Sequence, residues 1–166
     1  KLVITGTPQF SFYFNEAYQS TRTEFCNRWG LNENRPIIMY TGSDIGTAPY
    51  DPLLLRDVAQ ALMSFPEAER PQLIFRRTPA DFSNRYDWVI EAYPLILKMD
   101  PIWVSIGNSW STVIPTKKDL KNVVALVQHC DIVINLGSTM ALDAATHHKP
   151  SIYVSYHPAE ARAKGE

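Results

Sequence analysis

Three short stretches of this sequence combine residue types that handle anions. Thr41-Gly42-Ser43 and Gly137-Ser138-Thr139 set hydroxyls beside glycine, and Arg76-Arg77 supplies two guanidiniums. Glycine lets a backbone approach a phosphate closely, helix-start amides carry partial positive charge, and arginine grips two oxygens at once. Together Gly42, Ser43, Arg76, Arg77, Gly137, Ser138 and Thr139 suit a diphosphate, with backbone donors on one set of oxygens and arginine on the other. Asp143 lies one helical turn past the glycine turn, where a carboxylate can accept from both hydroxyls of a ribose. Each piece also has a plainer reading: Ser138 or Thr139 as a helix cap, the arginines as solvated or ion-paired side chains. Because the pieces come from separate segments, they weigh more together than singly.

Other residues carry less. His147-His148 falls at a helix C-terminus, where the dipole favours a protonated imidazole, so a cap explains the pair better than a metal site, and no metal is expected. His157, just before Pro158, falls near the ligand edge and is a lesser substrate candidate. Trp103 and Trp110 could wall a base or fill a core. Serine-hydrolase, zincin, P-loop and CxxC motifs are absent from the sequence.

Positioning these residues requires a particular set of elements. The β-branched run 131–135 reads as a buried parallel strand leading through the glycine turn into a helix starting near Met140. Its orphan amides would hold a phosphate at 137–140 without a nearby lysine. Lys149-Pro150 then closes that helix ahead of a second buried strand, 151–155. Upstream, residues 1–5 read as a strand stopped by Gly6-Thr7-Pro8, and 15–29 as a helix capped by Asn15 and ended by Gly30. Residues 36–40 form a strand, and Asp51 caps a helix over 52–64 whose stripe is Leu53, Leu54, Val58 and Leu62. A strand at 72–75 precedes a helix within 84–99 broken around Tyr93-Pro94. A strand at 101–105 comes next, then a capping box of Thr116 and Asp119 heading a helix over 119–129, and 159–166 is a frayed or cut end. This alternation predicts an α/β fold, a doubly wound parallel sheet with helices on both faces and ligands at its carboxyl edge.

Composition sets the outer limits. The 166 residues are 45% hydrophobic and 20% charged, with net charge −1; they suit a single globular domain over 1–166 and argue against a nucleic-acid surface built on bulk positive charge. Two cysteines, Cys26 and Cys130, make neither a disulfide framework nor a metal pattern, so a reducing cytoplasmic setting is expected. No apolar run approaches the roughly 20 residues that span a bilayer. The chain opens on Lys1 in a strand-like run, so a piece of a longer protein is expected.

The stretch NLGSTMALDAATHHKPSIYV, preceded by a helix and HCDIVI, resembles the nucleotide-binding C-terminal half of GT-B-type glycosyltransferases. It is similar to the branch with the non-hydrolysing UDP-N-acetylglucosamine 2-epimerases and the CDP-glycerol glycerophosphotransferases. Ser138 and Thr139 match that family's diphosphate turn, Asp143 its ribose-binding acid, and His148-Lys149-Pro150 its G-K-P with histidine for glycine. Gly6-Thr7-Pro8 resembles the G-x-P of the interdomain connector, here 1–14. Arg76-Arg77-Thr78-Pro79 resembles R-x-H-P with threonine for histidine, and Asp143 is shorter than the usual glutamate. The resemblance implies a Rossmann-like domain that binds a nucleotide-diphosphate sugar as substrate, with no separate cofactor. It further implies an N-terminal GT-B domain with the catalytic base, a glycan or lipid-linked acceptor, and peripheral membrane association at the inner face through that other half. A sugar-nucleotide 2-epimerase shares these features, and a non-catalytic α/β binding module would use the turns only as caps.

Overall fold

The computed structural model describes residues 2–4, 7–79, 81–107 and 110–160. In chain order, 3-10 turns at Pro8–Phe14 and Glu16–Tyr18 lead into α1 (Arg22–Trp29), β1 (Ile37–Thr41), α2 (Asp51–Met63), β2 (Gln72–Arg76), α3 (Asp87–Ala92) and β3 (Ile96–Lys98). Next come β4 (Trp103–Ser105), a 3-10 turn at Trp110–Thr112, β5 (Val113–Pro115), α4 (Lys117–His129), β6 (Ile132–Asn135), α5 (Met140–Ala145) and β7 (Ser151–Tyr153).

Strands β3-β2-β1-β6-β7 make one sheet, every pairing in it parallel. Side chains alternate across it. Ile37, Met39, Ile74 and Val133 pack with α1, α4 and the first 3-10 turn, whereas Tyr40, Leu73, Phe75 and Ile134 pack with α2 and α3. This is the expected doubly wound Rossmann-like architecture. On the α4 side the apolar files end, at the carboxyl edge, in polar residues: Thr41 on β1, Arg76 on β2 and Asn135 on β6, all buried. Thr41 and Arg76 are register partners.

Several local expectations are corrected. Leu2, Val3 and Ile4 are exposed and form no strand, while Lys1, Thr5 and Gly6 lie outside the described residues. The helix expected over 15–29 starts at Arg22, because Thr21 and Glu24 form a reciprocal capping box there; Asn15 caps only the Glu16–Tyr18 turn. Gly30 ends α1 in the left-handed conformation, φ 67°. Asp51 is not the cap of α2: Tyr50 holds that position, and the buried Asp51 carboxylate accepts from the Tyr40 and Tyr86 hydroxyls and the Ser43 amide.

Pro94 does interrupt the 84–99 region, yet beyond it the chain resumes as the edge strand β3, too short for its periodicity to show in the sequence. β4 pairs antiparallel with β5 in a separate hairpin, outside the parallel sheet. β7 is an edge strand with Ile152 and Tyr153 exposed, so it is not a second buried strand.

His147 also departs from expectation. Its ring packs edge-on to Tyr13 at 6.0 Å and near Phe14 at 6.3 Å, and burial holds its pKa below the usual value, opposing the protonated cap. Burial lowers His129 likewise, its Nε2 standing 2.8 Å from the Ser20 carbonyl oxygen. For both, the unfolded chain binds a proton near pH 6.5 that the folded chain refuses, so the unfolded state holds more protons just below that pH. Stability present above about 6.5 is therefore lost as pH falls through the window below it. Thermal midpoints recorded from pH 7.5 downwards should drop through that window, and His129→Gln with His147→Gln should flatten the slope there; an identical slope in the double variant would refute the assignment.

Candidate functional site

Where the apolar files give way to Thr41 and Arg76, a cavity of about 310 Å³ opens at the carboxyl edge of the sheet. Thr41 and Arg76 form its buried base. Phe12, Tyr13, Trp103, Pro115, Leu120 and Val123 supply apolar wall, and Arg77, Thr78, Pro79, Ser138, Thr139 and Asp143 complete the lining with Gly42, Asp119 and Met140.

Arg76 is 5% exposed, and its Nη2 donates to Asp119 Oδ2 at 2.7 Å. Asp119, itself buried in the first turn of α4, also accepts from the Ile102 amide at 2.9 Å and from the Trp103 indole. One carboxylate therefore fixes the guanidinium and ties the β4–β5 hairpin to the sheet. The capping box expected of Thr116 and Asp119 is half made: Thr116 Oγ1 accepts from the Asp119 amide, while the Asp119 side chain turns inward to Arg76. The second terminal nitrogen of the guanidinium, Arg76 Nη1, is buried with no hydrogen-bond partner among the described residues, as are Thr41 Oγ1 and Asn135 Nδ2. A buried donor without a partner costs about 1–3 kcal/mol, so three at the ends of adjacent strands point to something polar that completes them.

Asp143 lines the same cavity as Tyr13 and Arg76, and its pKa is raised, chiefly by burial and against the lowering effects of Tyr13 and Arg76. Arg77 donates to the Ser83 carbonyl at 2.8 Å and pairs with Asp100 at 3.1 Å. Gly42 lines the cavity, but its lack of a side chain is set by packing: a Cβ there would stand 2.8 Å from the Tyr86 hydroxyl and 3.1 Å from Phe75.

Six of the eight residues singled out in the sequence thus line one cavity: Gly42, Arg76, Arg77, Ser138, Thr139 and Asp143. Ser43 and Gly137 are not part of its lining. The Ser43 main chain is held on the α2 side, its amide by Asp51 and its carbonyl by Arg85. Gly137 has φ 129°, a conformation that selects glycine. Its amide and that of Ser138 both donate to Asn135 Oδ1, at 2.8 and 3.0 Å, and the Met140 amide donates to Ser138 Oγ. Three of the four amides expected to cradle a phosphate, those of Gly137, Ser138 and Met140, are therefore taken up within the turn, and α5, six residues long, adds little dipole. Among the described residues of the lining, the cation with a buried nitrogen that lacks a partner is Arg76.

His157 lines a different hollow, beside Tyr50 and Asp51. Trp103 lines the cavity as a base wall would, and the Trp110 side chain lies outside the described residues. Asp119, Thr41, Asn135 and Tyr13 were missed as site residues. The available signal was the switch from apolar to polar at the last inward position of three strands. Among the described residues no group of three or more histidine, cysteine or acidic side chains could hold a metal, and no helix is long and apolar enough to cross a membrane.

No protein-family model and no curated protein matches this sequence. Among solved structures, the chain is similar to E. coli ADP-heptose LPS heptosyltransferase II at 16% identity and a TM-score of 0.54, over 84% of this chain and 37% of that one. The likeness is one of fold: the Rossmann-like α/β architecture found in a GT-B glycosyltransferase. The chain spans little more than a third of that enzyme's length.

The Asp119 junction yields a stability test. Asp119→Ala should destabilise the fold by about 3–5 kcal/mol in urea unfolding, because it strands a buried guanidinium, whereas Arg76→Met with Asp119→Leu should recover most of the loss. A cost under about 1 kcal/mol for Asp119→Ala would mean that solvent satisfies Arg76.

Proposed function

We propose that this chain is the donor-nucleotide domain of a glycosyltransferase, one domain of a longer two-domain protein, moving a sugar from a nucleotide-diphosphate sugar to a glycan or lipid-linked acceptor. The setting we propose is cytoplasmic synthesis of surface polysaccharide or a related glycoconjugate. The observation that carries the reading is the buried, unpartnered Arg76 Nη1 in a cavity shared with Ser138, Thr139 and Asp143. With Asp119 holding its Nη2, the guanidinium is oriented before any ligand arrives. A donor fixed in that way stabilises charge developing on a leaving diphosphate without reorganising. Arg77, Ser138 and Thr139 border the same anion, and Asp143 accepts from the ribose hydroxyls while the aromatic wall packs the rest of the nucleoside. Similarity of fold to a heptosyltransferase supports the assignment, as do the motifs shared with the GT-B branch. The chemical step itself needs a base and an acceptor site, which this reading assigns to the second domain.

A non-catalytic module is the second reading, favoured by the internal use of the Gly137, Ser138 and Met140 amides. Calorimetry on the full-length protein with UDP, CDP, GDP and ADP separates the two. A donor domain binds one of them, and Ser138→Ala weakens that nucleotide about tenfold, the worth of one hydrogen bond to a charged group. A module shows no heat with any of the four, and Ser138→Ala then costs only about 1 kcal/mol of stability.

A further inference from the structure

The β4–β5 hairpin has two chemically different faces. Trp103, Ser105, Val113 and Pro115 line hollows on its inner side. The alternate residues point the other way: Val104 and Ile114 are register partners, 52% and 49% exposed, and Ile106 beyond them is 72% exposed. Ile102, at the base of the hairpin, continues the same row. Four β-branched aliphatic side chains thus form an outward strip that nothing among the described residues covers.

The base of the strip is cationic. Ile102 shares a concavity with Arg28, Lys118 and Lys121, and Lys117 opens the same helix. All four cations are exposed, and the three lysines have no ion pair among the described residues. Buried cores of protein interfaces favour aromatic residues and arginine and are poor in lysine. Aliphatic side chains bordered by unpaired lysines match instead the pattern of interfacial membrane binding, in which apolar groups enter the acyl boundary and flexible ammonium stems reach the headgroups.

We infer that this hairpin face, with Lys117, Lys118, Lys121 and Arg28, is a docking surface for an anionic lipid bilayer. The contact is made by this half of the protein, and it stands apart from whatever the cavity binds. Because the inner face of the same hairpin lines the cavity, docking sets the cavity mouth beside the lipid surface.

Sedimentation of the full-length protein with vesicles tests it. Binding is expected to vesicles of phosphatidylcholine with about 30 mol% phosphatidylglycerol and not to phosphatidylcholine alone, and it should fade in about 0.5 M NaCl, where the Debye length is about 4 Å. Lys118→Ala with Lys121→Ala should weaken the partition about thirtyfold, at about fivefold per lysine. Val104→Asp with Ile106→Asp should abolish it at exposed positions that leave the fold intact, with calorimetric nucleotide affinity unchanged as the control. Absence of wild-type binding to the anionic vesicles overturns the inference, as does binding that both double variants retain. So does a loss of self-association in the aspartate variant without any vesicle binding by the wild type, which would make the strip an interface between copies.

Discussion

The buried ion pair of Arg76 with Asp119 is the contact on which the cavity depends. It joins the end of a central strand to the first turn of α4, and through the Ile102 amide and Trp103 indole it extends to the hairpin. Burying two charges is costly and is offset only when the remaining hydrogen-bonding positions are filled. Here the carboxylate is well supplied and the guanidinium is not. The imbalance leaves a rigid, directional donor facing the cavity, whereas an exposed arginine would be hydrated and mobile.

A second polar network holds the opposite side. Asp51 accepts from the Tyr40 and Tyr86 hydroxyls, and Arg85 ties Asp81 to the Ser43 and Ala48 carbonyls. Burial raises the pKa of Asp51, yet its hydrogen-bond partners are in place, so this network reads as scaffold. The two clusters lie on opposite faces of one sheet edge and differ in satisfaction: one is complete, the other has donors to spare. That difference, more than the presence of polar residues, separates a brace from a binding site.

The fold was legible because the strands carry the short apolar runs Ile37 to Tyr40, Leu73 to Phe75 and Ile132 to Ile134, and because Pro52, Gly30 and Pro150 punctuate the segments around them. β3 was illegible, since three residues after a proline carry no period. The convergence of Gly42, Arg76, Ser138 and Asp143 was also legible, because parallel topology sends every strand's carboxyl end to one edge. What the sequence hid was pairing. Thr116 and Asp119 at capping-box spacing predict a local contact, and only the tertiary fold makes a distant arginine the better partner. Similarly, Asn135 reads as the end of a strand until its carboxamide is found occupying the amides of the next turn.

The strand order has a kinetic consequence. With β1 flanked by β2 on one side and β6 on the other, pairing the two central strands brings the Ile37 amide at the start of β1 to the Asp131 carboxylate across 94 residues. Closing so long a loop is entropically expensive before any contact rewards it. The polar residues beneath the cavity therefore assemble only once the carboxyl-terminal strands have docked. Until then a nascent chain exposes Met39, Ile74 and Arg76 to water, and this is the interval in which it is most exposed to misassembly.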